Sequence, residues 1–172
     1  MNNNIYEELA QRNNWDYSIL DNRPYFMKNG DYATPDENTS DNDKLLLAKI
    51  ISEGSDEMVN LILKCWDNNI KISGPCSGIK EFHDNPPYRV HFAFISSENI
   101  IKPLYEDLKS LFPNCYHLYR DNNVEKIRYD FDYGFGNKEL TKEEVDGIFK
   151  LINEHLDLVL QAKQNDNEKT IN

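Results

Sequence analysis

Thiol and imidazole groups are the residues of this chain best suited to covalent chemistry, and one stretch concentrates them. Between Ile70 and Ile95 lie Cys76, His83 and His91, with Glu81 and Asp84 among them. A cysteine becomes a nucleophile when a nearby base takes its proton, and an acid can orient the imidazole that does so. Cys76 follows Gly74-Pro75, so its thiol is expected at a strand end on a fixed backbone. His91 on the adjoining strand, or His83 in the loop between, is the candidate base, and Glu81 or Asp84 the orienting acid. Such a site would suit a small enzyme acting on a nucleotide or RNA. Adding Cys115 or His117 gives a possible zinc set, but the close paired spacing of zinc ligands is missing. The expectation is therefore no metal and no cofactor. The plainer reading of the same residues is structural: a small thiol and two polar rings at a turn.

Asp130 and Asp132 form a second candidate. They alternate with Phe131, so on a strand they share one face, where two carboxylates could hold Mg²⁺ or move protons. Lys126 and Arg128 fall on that face too, which favours a solvated, charge-balanced strand surface. No phosphate-binding glycine loop, His-Glu-x-x-His, Gly-x-Ser-x-Gly or Cys-x-x-Cys is present.

Charge points to a different function class. The 172 residues carry a net charge of −11. Nucleic-acid backbones and anionic membranes call for a basic face, so neither is an expected direct partner. Residues 1–43 hold nine acids and three bases, more than half of the excess. Carboxylates spaced over a rigid fold can stand in for phosphates in a basic cleft. The function expected from this pattern is a small acidic binding protein that inhibits a nucleic-acid-handling protein by occupying such a cleft. Phage-encoded anti-defence inhibitors, anti-CRISPR proteins among them, share this profile as a class. The candidate partner-binding residues are Asp31, Asp36, Glu37, Asp41 and Asp43, with Asp130 and Asp132 if the strand face adjoins.

The elements that must position these groups follow from periodicity. Residues 1–43 read as an acidic arm with scattered aromatics, a short helix over Ile5–Arg12 and a solvated loop over Asp31–Asp43. Residues 44–162 read as one domain, and 163–172 as a frayed polar tail. Helices are expected over Lys44–Ser52, after Ser55, after Ser97 and after Thr141. Pro103 is expected in the first turn of its helix, and Thr141 with Glu144 forms a capping box flanked by a Leu140–Val145 staple. Strands are expected over Ile70–Ser73, broken at Gly74-Pro75, and over Tyr88–Ile95, Cys115–Tyr119 and Val124–Tyr133. The order is ααββαββα. It predicts an α+β fold with an antiparallel sheet of about four strands and helices mainly on one face. Ile62, Trp66, Phe92, Phe94, Leu104, Leu108, Ile127, Phe131, Phe149 and Ile152 are the expected core. The longest apolar runs are too short to span a membrane. With no basic, apolar leader among the first residues, the three cysteines are expected to be reduced thiols of a cytoplasmic protein.

Overall fold

Side-chain caps set the helix starts at Ser40, Ser55 and Thr141. Ser40 Oγ accepts from Asp43 N at 3.1 Å and opens α2 (Asp41–Ile51). Ser55 Oγ accepts from Met58 N at 3.1 Å and opens α3 (Asp56–Asp67). Acids in both first turns favour the helix dipole. Asn69, at φ 57°, turns the chain out of α3. The capping box forms as expected: Thr141 N donates to Glu144 Oε2 at 3.0 Å and Glu144 N to Thr141 Oγ1 at 3.2 Å. Leu140 and Val145 are buried beside it, and α5 (Lys142–Thr170) runs on through the residues set apart above as a polar tail. In α4 (Glu98–Leu111), Pro103 is the sixth residue and lies beyond the first turn. Its missing N–H leaves the Asn99 carbonyl without its helical donor. Asn99 is exposed, so water can take that place.

The computed structural model describes residues 3–20, 23–79, 88–123, 126–134, 136 and 138–170. It is an α+β fold with two antiparallel sheets. The larger contains β4 (Lys71–Cys76), β5 (Arg89–Ser96), β6 (Tyr116–Asn123) and β7 (Lys126–Gly134), in the order β4-β5-β7-β6. From α2 onward the element order is the expected one. Ahead of it stand α1 (Asn3–Asn13) and a small sheet that the sequence periodicity does not reveal: β1 (Asp16–Leu20), β2 (Arg23–Lys28) and β3 (Asp31–Tyr32). Asn29 and Gly30, at φ 54° and 85°, make the two-residue turn between β2 and β3.

Gly74-Pro75 does not end β4. Ser73 pairs with Ala93 and Cys76 with His91, so β4 has one residue more than β5 over this interval and bulges. The hairpin strand β6 likewise runs past Tyr119 to Asn123.

All ten expected core residues are buried, none more than 8% exposed. Phe149 of α5 meets Phe92 of β5 with ring centroids 6.2 Å apart, and Phe112 at the end of α4 meets Phe131 at 5.3 Å. The acidic arm contributes to the same core through Leu9, Trp15 and Phe26. Trp15 and Tyr17 both pack on Phe26, with centroids 6.2 and 5.6 Å away. His117 ties the sheet to a helix end. Its Nε2 donates to the Phe112 carbonyl at 2.8 Å, which leaves Nδ1 to accept from the Tyr129 hydroxyl at 2.7 Å. Among the described residues, no helix is long and apolar enough to cross a membrane.

Phe149→Ala removes a fully buried ring at the contact of α5 with the sheet. It is expected to lower unfolding free energy by about 3–5 kcal/mol in urea titrations; a loss below about 1 kcal/mol would mean that α5 is not part of the cooperative core.

Candidate functional site

The helices leave one face of the larger sheet to polar groups, and several candidate residues gather there. The bulge in β4 sets the local geometry. Gly74 adopts φ 57°, and a Cβ at this position would come within 3.2 Å of the His91 ring. The Gly74 carbonyl accepts from His91 Nδ1 at 2.5 Å. A carbonyl can only accept, so Nδ1 carries the hydrogen, and Nε2 faces Asp130 Oδ1 at 3.6 Å. Cys76 is His91's cross-strand neighbour, yet its Sγ donates to the Arg89 carbonyl at 3.4 Å. Both nitrogens of His91 are thus directed at groups other than the thiol. His117 is equally committed, to Tyr129 and Phe112. His83, Glu81 and Asp84 lie outside the described residues. Burial and the charge of Asp132 push the Cys115 thiol up to about 11, and burial raises Cys65 further. Among the described residues no three His, Cys, Asp or Glu side chains converge to hold a metal ion.

Asp130 departs most from its expected setting. The face it shares with Arg128 was expected to be wet, but Asp130 is only 6% exposed. Arg128 grips its carboxylate through Nε at 2.8 Å and Nη2 at 2.6 Å. Arg120 stands at 3.7 Å, and Arg128 Nη1 also reaches Ser73 Oγ at 3.3 Å. Burial works to raise the Asp130 pKa, but the Arg128 hydrogen bonds, with the Arg128, Arg120 and His91 charges, outweigh it and hold the carboxyl below its ordinary value. Asp132, the other half of the pair, is bound by Arg89 at 3.2 Å. The two aspartates are therefore counter-charges to arginines on this face, Asp130 to Arg128 and Arg120, and Asp132 to Arg89.

A second polar knot joins the small sheet to this region. Glu53, buried and at φ 50°, accepts from Ser77 N at 2.9 Å and Ser77 Oγ at 3.0 Å. Arg23 of β2 donates to its other oxygen at 3.2 Å. Sequence reasoning passed over Glu53, Arg23 and Arg120, and placed Arg128 on a solvated face rather than on a buried carboxylate. Only the Arg128–Asp130 spacing, two residues on one strand face, was a readable signal; the Glu53 contacts join positions 24 and 30 residues apart.

The remaining acidic candidates separate by environment. Asp31, Asp36, Glu37 and Asp41 are exposed on or beside the segment between β3 and α2. Asp43 has a side chain only 14% exposed and is held by Arg12 at 2.7 Å. That segment is pinned at several points. Ala33 N donates to the Phe26 carbonyl at 2.9 Å. Asp36 builds a turn, its Oδ1 accepting from Asn38 N at 2.9 Å and its N donating to Thr39 Oγ1 at 3.1 Å. The Lys28 ammonium at 2.8 Å and the Asn38 amide hold the Asp36 carboxyl below its ordinary value.

These carboxyls fix the sign of the acid response. Asp43 is held low by the Arg12 hydrogen bond and Asp130 by its arginines, both below an ordinary value of 3.8. Stability from each is fully present above that value and is lost as pH falls through the lower folded value. Urea unfolding is expected to be nearly flat with pH above about 5 and to weaken steeply below about 4. Asp130→Asn should lose about 2–3 kcal/mol near neutrality, because Arg128 keeps no matching charge, and should show a shallower acid slope. An unchanged slope would remove Asp130 from the acid response.

Comparison with known protein families, with curated proteins and with solved structures returned no match to this chain.

Proposed function

We propose that this chain is a non-catalytic binding protein that presents the acidic segment between β3 and α2 to the basic cleft of a nucleic-acid-handling protein, as an inhibitor would. The observation that carries this reading is the pinned backbone under Asp31, Asp36, Glu37 and Asp41. Exposed carboxylates on a fixed segment lose little freedom on meeting arginines and lysines, and preorganisation of this kind raises affinity without adding contacts. Electrostatic complementarity speeds encounter and selects against acidic partners. The net charge of −11 acts in the same direction. The alternative, an enzyme using Cys76, draws less support, because both nitrogens of His91 point at Gly74 and Asp130.

The structure also refines the test. Asp36 builds its own turn, so reversing it would disturb the backbone as well as the charge. Asp31 and Glu37 are exposed without that turn-building role, and Asp41 is exposed in the first turn of α2. Asp31→Lys with Glu37→Lys and Asp41→Asn should leave the fold intact by circular dichroism. Against a partner recovered by affinity capture, wild-type affinity should fall with rising salt, since exposed charges are screened beyond about 8 Å at physiological ionic strength. The triple variant should bind at least about tenfold more weakly. Affinity indifferent to both salt and the triple variant would reduce the acidic segment to a solubility feature.

A further inference from the structure

Exposed sheet edges offer unpaired backbone donors and acceptors, and folded proteins usually blunt them with prolines, bulges, lysines or short strands. Among the described residues, two of the four sheet edges are treated in that way. The β4 edge carries Pro75 and the bulge and has β3 beside it. β3 is two residues long and β1 five. β6 is the longest of the four edge strands. It is eight residues long, contains no proline, glycine or lysine, and its register slips only at its far end, between Asp121 and Asn123. Among the described residues no backbone hydrogen bond leaves β6 on the side away from β7.

We propose that β6 pairs antiparallel with β6 of a second copy of this chain, about a twofold axis at Leu118, joining two four-stranded sheets into one. The self-complementarity of the strand selects the occupant. An antiparallel pair centred on Leu118 sets Leu118 opposite Leu118 and Tyr116 opposite Arg120 twice, once on each side of the axis. Tyr116 is 60% exposed and the Arg120 side chain 52% exposed, so both have surface to give to a ring–guanidinium contact. Centring on Tyr119 would instead need His117 to turn towards Asp121, but its ring is held inside by Tyr129 and Phe112. From Tyr116 to Asp121 the strand carries one arginine and one aspartate, so two copies meet there without like charges opposed.

Helix α4 borders the same edge and repeats the pattern. Tyr119 lies near Glu98 and Glu106, and its ring centroid is 5.1 Å from that of Tyr105. Glu98, Lys102, Glu106 and Lys109 therefore form one exposed stripe along the β6 side of the helix. An antiparallel neighbour brings the Glu98 end of one stripe to the Lys109 end of the other, with Lys102 and Glu106 between.

The test uses the full chain in sedimentation velocity over a dilution series from millimolar to micromolar protein. The expected species at high concentration has twice the chain mass of 20.2 kDa. Leu118→Lys places two ammonium groups face to face at the axis. It should move the monomer–dimer midpoint to at least about tenfold higher concentration while circular dichroism stays unchanged. Leu118→Cys covers the case in which the lysine variant fails to fold. Directly opposed residues of an antiparallel pair have Cα atoms about 4.5–5.5 Å apart, within disulfide reach. Mild oxidation should therefore give a covalent dimer that the wild type, with Cys65, Cys76 and Cys115, does not. A wild type that stays monomeric throughout, a dimer unaffected by Leu118→Lys, or a Leu118→Cys chain that does not cross-link would each overturn the proposal.

Discussion

A carboxylate taken out of water must be met by donors or charges, and Glu53 is met from three directions. It sits in the turn between α2 and α3 at positive φ, a conformation unfavourable for a residue with a Cβ. Ser77 supplies its amide and hydroxyl, and Arg23 a guanidinium. These contacts fix the small sheet, the helical turn and the segment after β4 relative to one another. Breaking one partner of such a set leaves an unmatched buried group, which is far more costly than the set is stabilising. Glu53 thus explains why the acidic arm has a defined place: Arg23 on β2 is clamped to the same point that anchors Ser77.

The clamp has a consequence along the chain. With β2 fixed and Phe26 buried, the Asn29-Gly30 turn returns the chain as β3, and Ala33 is tied to the Phe26 carbonyl. The segment that follows leaves a fixed point and enters another, the Ser40 cap of α2. Its carboxylates are therefore held by structure at both ends. The aromatic residues of the arm are the means of this anchoring. Trp15 and Phe26 are spent in the core and do not present a surface to a partner.

What the sequence made legible depends on how local the governing physics is. Helix caps at Ser55 and Thr141 were readable, because the residues that satisfy one another lie three apart. The apolar stripes of α3, α4 and α5 were readable because burial repeats with the helical period. Pro103 was placed one turn early, since an exposed carbonyl tolerates the loss of its donor. The small sheet was missed although Asn29-Gly30 is a strong hairpin signal; only two residues of β3 follow it, too few to show alternation. Gly74-Pro75 read as a break because a bulge and a strand end use the same residues. The polar face was the least legible part. Whether Asp130 is wet depends on Arg120 and His91, which come from other strands, and no local pattern contains that information.

Charge placement connects the acidic segment with the β6 edge. Many of the cations are already matched within the chain, as in Arg12–Asp43, Arg23–Glu53, Arg89–Asp132 and Arg128–Asp130. The exposed excess is then acidic, and two such molecules repel wherever their acidic segments approach. The sheet order keeps those segments apart in a β6-paired dimer. β3, which leads into the acidic segment, lies beside β4, and β4 is the edge opposite β6. Eight strands in one sheet would set the two β4 strands about 34 Å apart at a spacing of about 4.8 Å. That is several times the screening length of about 8 Å at physiological ionic strength. Pairing at β6 therefore leaves the repulsion between acidic segments screened. It also turns the two segments outward in opposite directions, so each can meet a basic partner without obstruction by the other.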